Sequence, residues 1–202
     1  MRVICLDMEG VLVPEIWLGV AAKTGIEELK LTTRDIKDYD ELMRHRLKVL
    51  DEHGIKMDLI QDVIADMGPM EGAKDFLDEL RSHAQVIILS DTFYGFAKPL
   101  MEQLGRPTLF CHYLDVADDG HIAGYRLRTT DHKTKSVKAL KELNFVTAAM
   151  GDSYNDTGMI QAANVAAFFR SPQNVLDDFP AFPHFTDYGE ATEYLLNTEP
   201  EA

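Results

Sequence analysis

The chain has 202 residues, with 34 acidic against 20 basic side chains and a formal net charge of −14. That field repels polyanions, which excludes nucleic acid and anionic membrane surfaces as partners, and no apolar run approaches the length of a membrane span. A hydrophobic fraction of 46% at this length suffices for one globular core carrying an insertion. Cys5 and Cys111 lie in apolar, strand-like runs and read as reduced, buried thiols, not as a disulfide scaffold. The chain enters a strand within two residues of its start, so no signal peptide is expected, and the expected compartment is the cytoplasm.

In chain order, a strand over 2–7 (Val3-Ile4-Cys5-Leu6) delivers Asp7-Met8-Glu9-Gly10-Val11 into a turn. The stretch 15–70 has no strand pattern and reads as helices over 15–24, 39–53 and 58–67; Gly54 closes the second, and Gly68-Pro69 ends the third. A crossover needs only about a dozen residues, so 15–70 is expected to be an inserted helical cap on a core made of 1–14 and 71–202. A helix over 72–82, a strand over 86–90 turning at Ser90-Asp91-Thr92, and a helix over 93–104 stopped by Gly105 come next. A strand over 108–111 leads into a hairpin over 112–130 around Asp118-Asp119-Gly120. Then come a helix over 134–143, a strand over 145–150 running into Gly151-Asp152-Ser153-Tyr154-Asn155-Asp156, a helix over 155–163 and a strand over 165–169. The tail past 170 has one helix near 187–196 and carries no chemical signal. The alternation predicts an α/β fold: a Rossmann-like, doubly wound, mostly parallel sheet whose ligands sit beyond the carboxyl ends of the strands.

Three apolar strands end in Asp-bearing turns, which is costly in a core unless a metal or a reacting phosphate sits there. An aspartate nucleophile takes up a phosphoryl group and splits one hard displacement into two easier ones. A divalent cation offsets the repulsion between carboxylate and phosphate, and hard oxygen ligands suit Mg²⁺. Asp7 and Asp152 would offer side-chain oxygens to it and Glu9 its backbone carbonyl, which leaves the Glu9 side chain for general acid–base work. Ser90 would donate to the phosphate, as would Lys133 just before a helix whose dipole favours an anion. Lys135 competes for that role, but the position of Lys133 lets it reach inward. Asn155 would hydrogen-bond substrate, and Asp156 would orient Lys133 or a metal-bound water. Singly, each residue also fits a turn, a helix cap or a solvated charge; the four together, in this order, do not.

Asp7-x-Glu9-Gly10, Ser90-Asp91, Lys133 and Gly151-Asp152-Ser153-Tyr154-Asn155-Asp156 resemble the four motifs of the haloacid dehalogenase-like phosphatase superfamily, and the insert resembles its type 1 cap. The phrases from Cys5 to Trp17, Leu50-Asp51-Glu52-His53-Gly54, and Leu89 to Tyr94 are similar to one subgroup, the phosphoserine phosphatases that double as phosphoserine:homoserine phosphotransferases (ThrH type). That resemblance implies Mg²⁺, an aspartyl-phosphate on Asp7, and O-phospho-L-serine as substrate with L-homoserine as second acceptor. It also implies that Glu15 and Arg46 meet the amino-acid end of the substrate, as carboxylate to ammonium and Arg fork to carboxylate. On its own, Arg46 would be a surface charge and Glu15 a first-turn helix acid. Glu9 departs from ordinary phosphoserine phosphatases, which carry Asp there; the extra methylene leaves the balance of hydrolysis and transfer open. Two alternatives remain: a phosphatase of another small phosphomonoester, and a receiver-like phospho-acceptor domain. The latter places its Asp after the third strand and has no cap.

Overall fold

Residues 1–32, 35–36 and 38–200 are described by a computed structural model. The run Arg2–Leu6 forms β1, the middle of a seven-stranded sheet with the order β4-β3-β2-β1-β5-β6-β7. β1 is flanked by β2 (Gln85–Phe93) and β5 (Val146–Gly151), both parallel to it. Beyond β2 lies β3 (Thr108–Val116), also parallel, and then β4 (Ile122–Arg126), antiparallel to β3. Beyond β5 lie β6 (Val165–Phe169) and the two-residue β7 (His184–Phe185). The chain leaves β1 towards β2 and returns later on its other side to β5, which puts the switch point of the sheet at the carboxyl end of β1.

Strand alternation sorts the core into two layers. Ile4, Leu6, Val86, Ile88, Ala148 and Met150 face one layer; Val3, Cys5, Ile87, Leu89 and Ala149 face the other. The first is covered by α4 (Ala73–His83), α5 (Tyr94–Gln103) and α9 (Tyr188–Asn197). The second is covered by α6 (His132–Glu142), α7 (Thr157–Ala162) and α8 (Gln173–Asp178). Burial on both faces explains why these strands read as continuous apolar runs.

Between β1 and α4 lie α1 (Ile16–Thr24), a 3₁₀ turn (Glu27–Lys30), α2 (Tyr39–Glu52) and α3 (Met57–Met67), with no strand among the described residues of 15–70. Their apolar faces, including Val20, Leu29, Met43, Ile60 and Ile64, belong to the same core cluster as the first layer. The β3–β4 hairpin grips this segment as well. The Met57 amide donates to the Gly120 carbonyl at 2.9 Å, Lys56 pairs with Asp119, and the Tyr125 hydroxyl bonds Asp40.

Several sequence expectations need correction. Ser90-Asp91-Thr92 is not a turn: β2 runs on to Phe93, with a shift of register against β3 past Leu89 that carries Asp91 to the strand end. The helix expected over 134–143 begins at His132, so Lys133 stands in its first turn. The helix expected over 155–163 is a 3₁₀ turn, Tyr154–Asp156, followed by α7; a capping box between Ser153 and Asp156 tightens its start. The tail adds β7 and α8 to the expected helix. Among the described residues, no helix is long and apolar enough to cross a membrane.

Gly151 ends β5 with no room for a side chain, since a Cβ there would lie 2.4 Å from Asp156 Cβ. Gly151→Ala is expected to destabilise the fold by about 1–3 kcal/mol, the usual range for overpacking. Urea unfolding measures this, and an unchanged midpoint would mean that the Asp156 turn shifts freely.

Candidate active site

Asp7 follows the last residue of β1, and its amide donates to the Met150 carbonyl of β5 at 2.9 Å, so the central strand pair fixes its position. Its side chain is buried. Lys133 enters from α6: its Nζ donates to Asp7 Oδ1 and to Asp156 Oδ1, each at 2.7 Å, and lies 3.6 Å from Asp91 Oδ2. Asp156 has no exposed surface, and its other oxygen accepts from the backbone amides of Asp152 and Ser153 at 3.0 and 3.1 Å. One buried ammonium thus ties together the ends of β1 and β5 and the start of α6. Lys135 points away and donates to the hydroxyls of Thr129 and Thr130. The choice between the two lysines follows from the helix start, which faces position 133 inward.

Asp7, Asp152 and Asp156 bring carboxylate oxygens within 4.8 Å of one another. Burial, followed by the neighbouring carboxylates, pushes Asp152 up to about 7. The same causes raise Asp7 well above its ordinary value, although Lys133 opposes them. Three carboxylates against one lysine leave a negative excess that a cation would neutralise, and an all-oxygen set fits a hard divalent metal. Both Asp156 oxygens are already engaged, which leaves Asp7 and Asp152 as the better side-chain donors. Gly10, with a φ of +76°, allows the approach of Asp152: a Cβ at this position would lie 2.5 Å from Asp152 Cγ.

The Glu9 side chain turns towards the helical segment, where its Oε2 accepts from the Ile16 amide at 2.9 Å and so caps α1. Burial first, and the adjacent Glu15 second, push its carboxyl up to about 8. Glu15 is exposed and stands at the N-cap position of α1 rather than within its first turn. Arg46, from α2, is not a surface charge; it is 8% exposed. Its Nη2 donates to the Leu31 carbonyl at 2.8 Å, and its guanidinium lies 4.5 Å from the centroid of the Trp17 ring. Its Nε has no hydrogen-bond partner, and among the described residues no carboxylate lies within ion-pair distance. Burial draws it down to about 10 against the opposing pull of Tyr39, Glu9 and Glu15, so the guanidinium stays charged.

Ser90 is buried, and its hydroxyl accepts from the Thr92 amide at 3.2 Å. Asn155 donates to Asp91 Oδ2 at 2.8 Å. Burial favours the neutral form of Asp91, but Lys133, His112, His132 and Asn155 outweigh it and hold the carboxyl well below the usual range. Asp7, Asp91, Asp152, Asp156 and Lys133 therefore form one cluster. Glu9 reaches from the end of β1 to the helical segment, which itself carries Glu15 and Arg46. The sequence reading did not single out Trp17, His112 or His132. Trp17 adjoins Glu15 at the start of α1 and His132 adjoins Lys133, so adjacency to motif residues was the available signal for both; His112 in β3 offered only a polar residue in an apolar run.

A nucleophile-capable aspartate at the switch point, a buried lysine on it and a divalent-cation donor set define a hydrolase site on an α/β scaffold. The chain belongs to the haloacid dehalogenase-like hydrolase family, whose profile matches residues 1–164. It is 55% identical over 196 residues to "Phosphoserine phosphatase ThrH" of Pseudomonas aeruginosa, covering 97% of this chain and 96% of that protein. It is 53% identical to a phosphoserine phosphatase of Pseudomonas syringae pv. tomato, covering 96% and 82% respectively. Among solved structures, the phosphoserine phosphatase of T. onnurineus shares the fold at 23% identity and a TM-score of 0.72, covering 98% of this chain and 96% of that one. A phospho-aspartyl intermediate analogue of phosphoserine phosphatase does so at 20% identity and a TM-score of 0.75, covering 96% and 98%.

Gly10→Ala is expected to displace Asp152 and weaken divalent-cation binding at least about tenfold, the scale for disturbing a ligand's support. Calorimetric titration with Mg²⁺ reads this, and wild-type affinity in the variant would remove Asp152 from the donor set.

Proposed function

We propose that this chain is a phosphoserine phosphatase. It hydrolyses O-phospho-L-serine through an aspartyl-phosphate on Asp7, and L-homoserine can replace water as the acceptor. The observation that carries this reading is a buried Asp7 held by Lys133, together with a buried Arg46 that has no carboxylate partner among the described residues, in a chain 55% identical to the Pseudomonas aeruginosa protein. A phosphate needs the first and an α-carboxylate suits the second. Residues 15–70 act as the cap and bring Arg46 and Glu15 to the amino-acid end of the substrate, while the core brings the groups that handle phosphate.

Asp7 and Asp152, with the Glu9 backbone carbonyl, would hold Mg²⁺, and the ion when bound supplies positive charge against the phosphate oxygens. Lys133 steadies the Asp7 carboxylate and, with Ser90, donates to the transferring phosphate. A carboxylate oxygen of Asp7 attacks phosphorus, the bond from phosphorus to the serine oxygen breaks, and that oxygen takes the proton from Glu9. Water, or the hydroxyl of homoserine, then attacks the same phosphorus. Glu9 accepts its proton, and Asp7 leaves as the free carboxylate. Asn155 and Asp91 hold the phosphate side of the site together, and Asp156 orients Lys133. We assign the reaction to the cytoplasm, where the two buried free thiols, Cys5 and Cys111, would stay reduced.

Phosphorus NMR of the protein with Mg²⁺ and O-phospho-L-serine, with and without L-homoserine, tests the assignment. Inorganic phosphate is expected in both samples and O-phosphohomoserine only in the second, and Asp7→Asn abolishes both products. No turnover of phosphoserine alongside turnover of another phosphomonoester would remove the substrate but keep the nucleophile. The general acid must be protonated in the first step, so activity is expected to fall as pH rises past the Glu9 value of about 8. Glu15→Gln removes a like charge, lowers that value and moves the alkaline limb of kcat/KM to lower pH. A limb that stays in place would mean that another group donates the proton.

A further inference from the structure

Asp91, at the end of β2, divides its two oxygens between two sides of the site. Oδ2 faces the phosphate side, where it accepts from Asn155 Nδ2 at 2.8 Å and lies 3.6 Å from Lys133 Nζ. Oδ1 faces two imidazoles: His132 Nε2 at 3.2 Å and His112 Nε2 at 3.5 Å. Both rings are almost wholly buried, and they meet edge to face with centroids 4.7 Å apart. These three side chains place ligand-type atoms within 4.8 Å of one another, the spacing of a two-histidine, one-carboxylate metal site.

The hydrogen bond behind His112 argues against a metal. The backbone amide of Arg128 donates to His112 Nδ1 at 3.2 Å, so the ring proton sits on Nε2, the atom that faces Asp91. A metal-bound Nε2 needs the opposite tautomer, which would set two N–H groups against each other at Nδ1. The Arg128 side chain fixes that amide in turn: it donates to the Cys111 carbonyl at 3.2 Å and to the hydroxyls of Tyr94 and Tyr113. His132 Nδ1 has no partner, and its Nε2 meets Asp91 Oδ1 at 3.2 Å as a close polar contact short of an aligned hydrogen bond, although the ring is 2% exposed. An apolar ring would fill the same space without leaving polar atoms unpaired, so packing alone does not account for a histidine there.

We propose that His112 and His132 are positioning residues for the reaction: two Nε2–H groups clasp Asp91 Oδ1 and fix the direction in which Oδ2 holds Asn155 and faces Lys133. Turning Asp91 about its side-chain bonds would carry Asn155 with it and draw Lys133 away from Asp7. The clasp prevents this, so the two histidines set the alignment of the nucleophile without touching substrate. This rests on the phosphatase reading only in that Asp7 and Lys133 belong to the reacting site.

His132→Phe keeps the ring and deletes the donor, whereas His132→Gln restores an Nε2 donor. Steady-state hydrolysis of O-phospho-L-serine is expected to show kcat of the Phe variant down by about tenfold or more, the scale of misplaced reacting groups, with a smaller change in KM. The Gln variant is expected to recover most of that loss. Equal rates for wild type and Phe variant, or no recovery with Gln, would overturn the proposal. Nitrogen-15 NMR of the histidine-labelled protein with Mg²⁺ reads the tautomers independently of any substrate. Both rings are expected as Nε2–H, with shifts that move in Asp91→Asn. An Nδ1–H tautomer at His132, or one-to-one Zn²⁺ binding lost in His132→Phe, would assign the cluster to a metal instead. If the wild type leaves phosphoserine intact while the tautomers are as expected, the substrate assignment fails and the clasp stands.

Discussion

The site depends on one buried ammonium. Lys133 touches Asp7 and Asp156 at hydrogen-bond distance, and three parts of the chain meet at it: the end of β1, the turn past β5 and the first turn of α6. A buried ion cluster is weak evidence of stability, because desolvation offsets much of the Coulomb attraction. It is strong evidence of geometry, because any one element out of place leaves a charge unpaired in the core. The cluster is also unbalanced. With Asp152 alongside, the lysine faces more negative charge than it neutralises, and burial lifts the carboxyls of Asp7 and Asp152. The fold tolerates that excess at a strand end where a cation would relieve it.

The remaining parts divide between the sheet and the inserted helices. The sheet and its flanking helices hold the groups proposed for phosphate chemistry, and the inserted helices carry Arg46, Trp17 and Glu15. Glu9 joins the two: it lies two residues past Asp7, yet its carboxylate caps the first helix of the insert through the Ile16 amide. Any movement of that helix is therefore felt at the proposed acid–base group. Trp17 supports Arg46 from the same helix, so one side chain orders another without a carboxylate between them. A guanidinium held in this way, charged and lacking an ion-pair partner among the described residues, is already desolvated, which suits the carboxylate-binding role proposed for it.

The β3–β4 hairpin adds a constraint on how the insert can move. The insert is joined to the core at its two ends, and the hairpin holds it at a third place through Met57–Gly120, Lys56–Asp119 and Tyr125–Asp40. Met57 also packs over Gly95 at the start of α5, where a Cβ would lie 2.0 Å from the Met57 methyl carbon. The insert is thus held to the core at the hairpin as well as at its two ends.

The order of the elements was legible in the sequence because each strand is an apolar run and each flanking helix has a polar face. The Asp-bearing strand ends marked the site for a simple reason: carboxylates next to buried strands need a partner. The position of Asp7, Asp152 and Lys133 in one cluster follows from that order and the switch point of the sheet. Local pattern did not reveal which way side chains turn. Ser90-Asp91-Thr92 reads as a turn because its residues are turn formers, yet pairing with β3 keeps it extended to Phe93. Arg46 reads as a surface charge because its helix is rich in charges, yet it is buried against the Trp17 ring and the Leu31 carbonyl. The two histidines at Asp91 lie 21 and 41 residues away along the chain and meet it only because β3 and the start of α6 converge on the end of β2. Residue type and spacing alone determined the chemistry this chain carries; the long-range packing of the sheet decided which atoms face one another, since no local signal encodes a contact between distant segments.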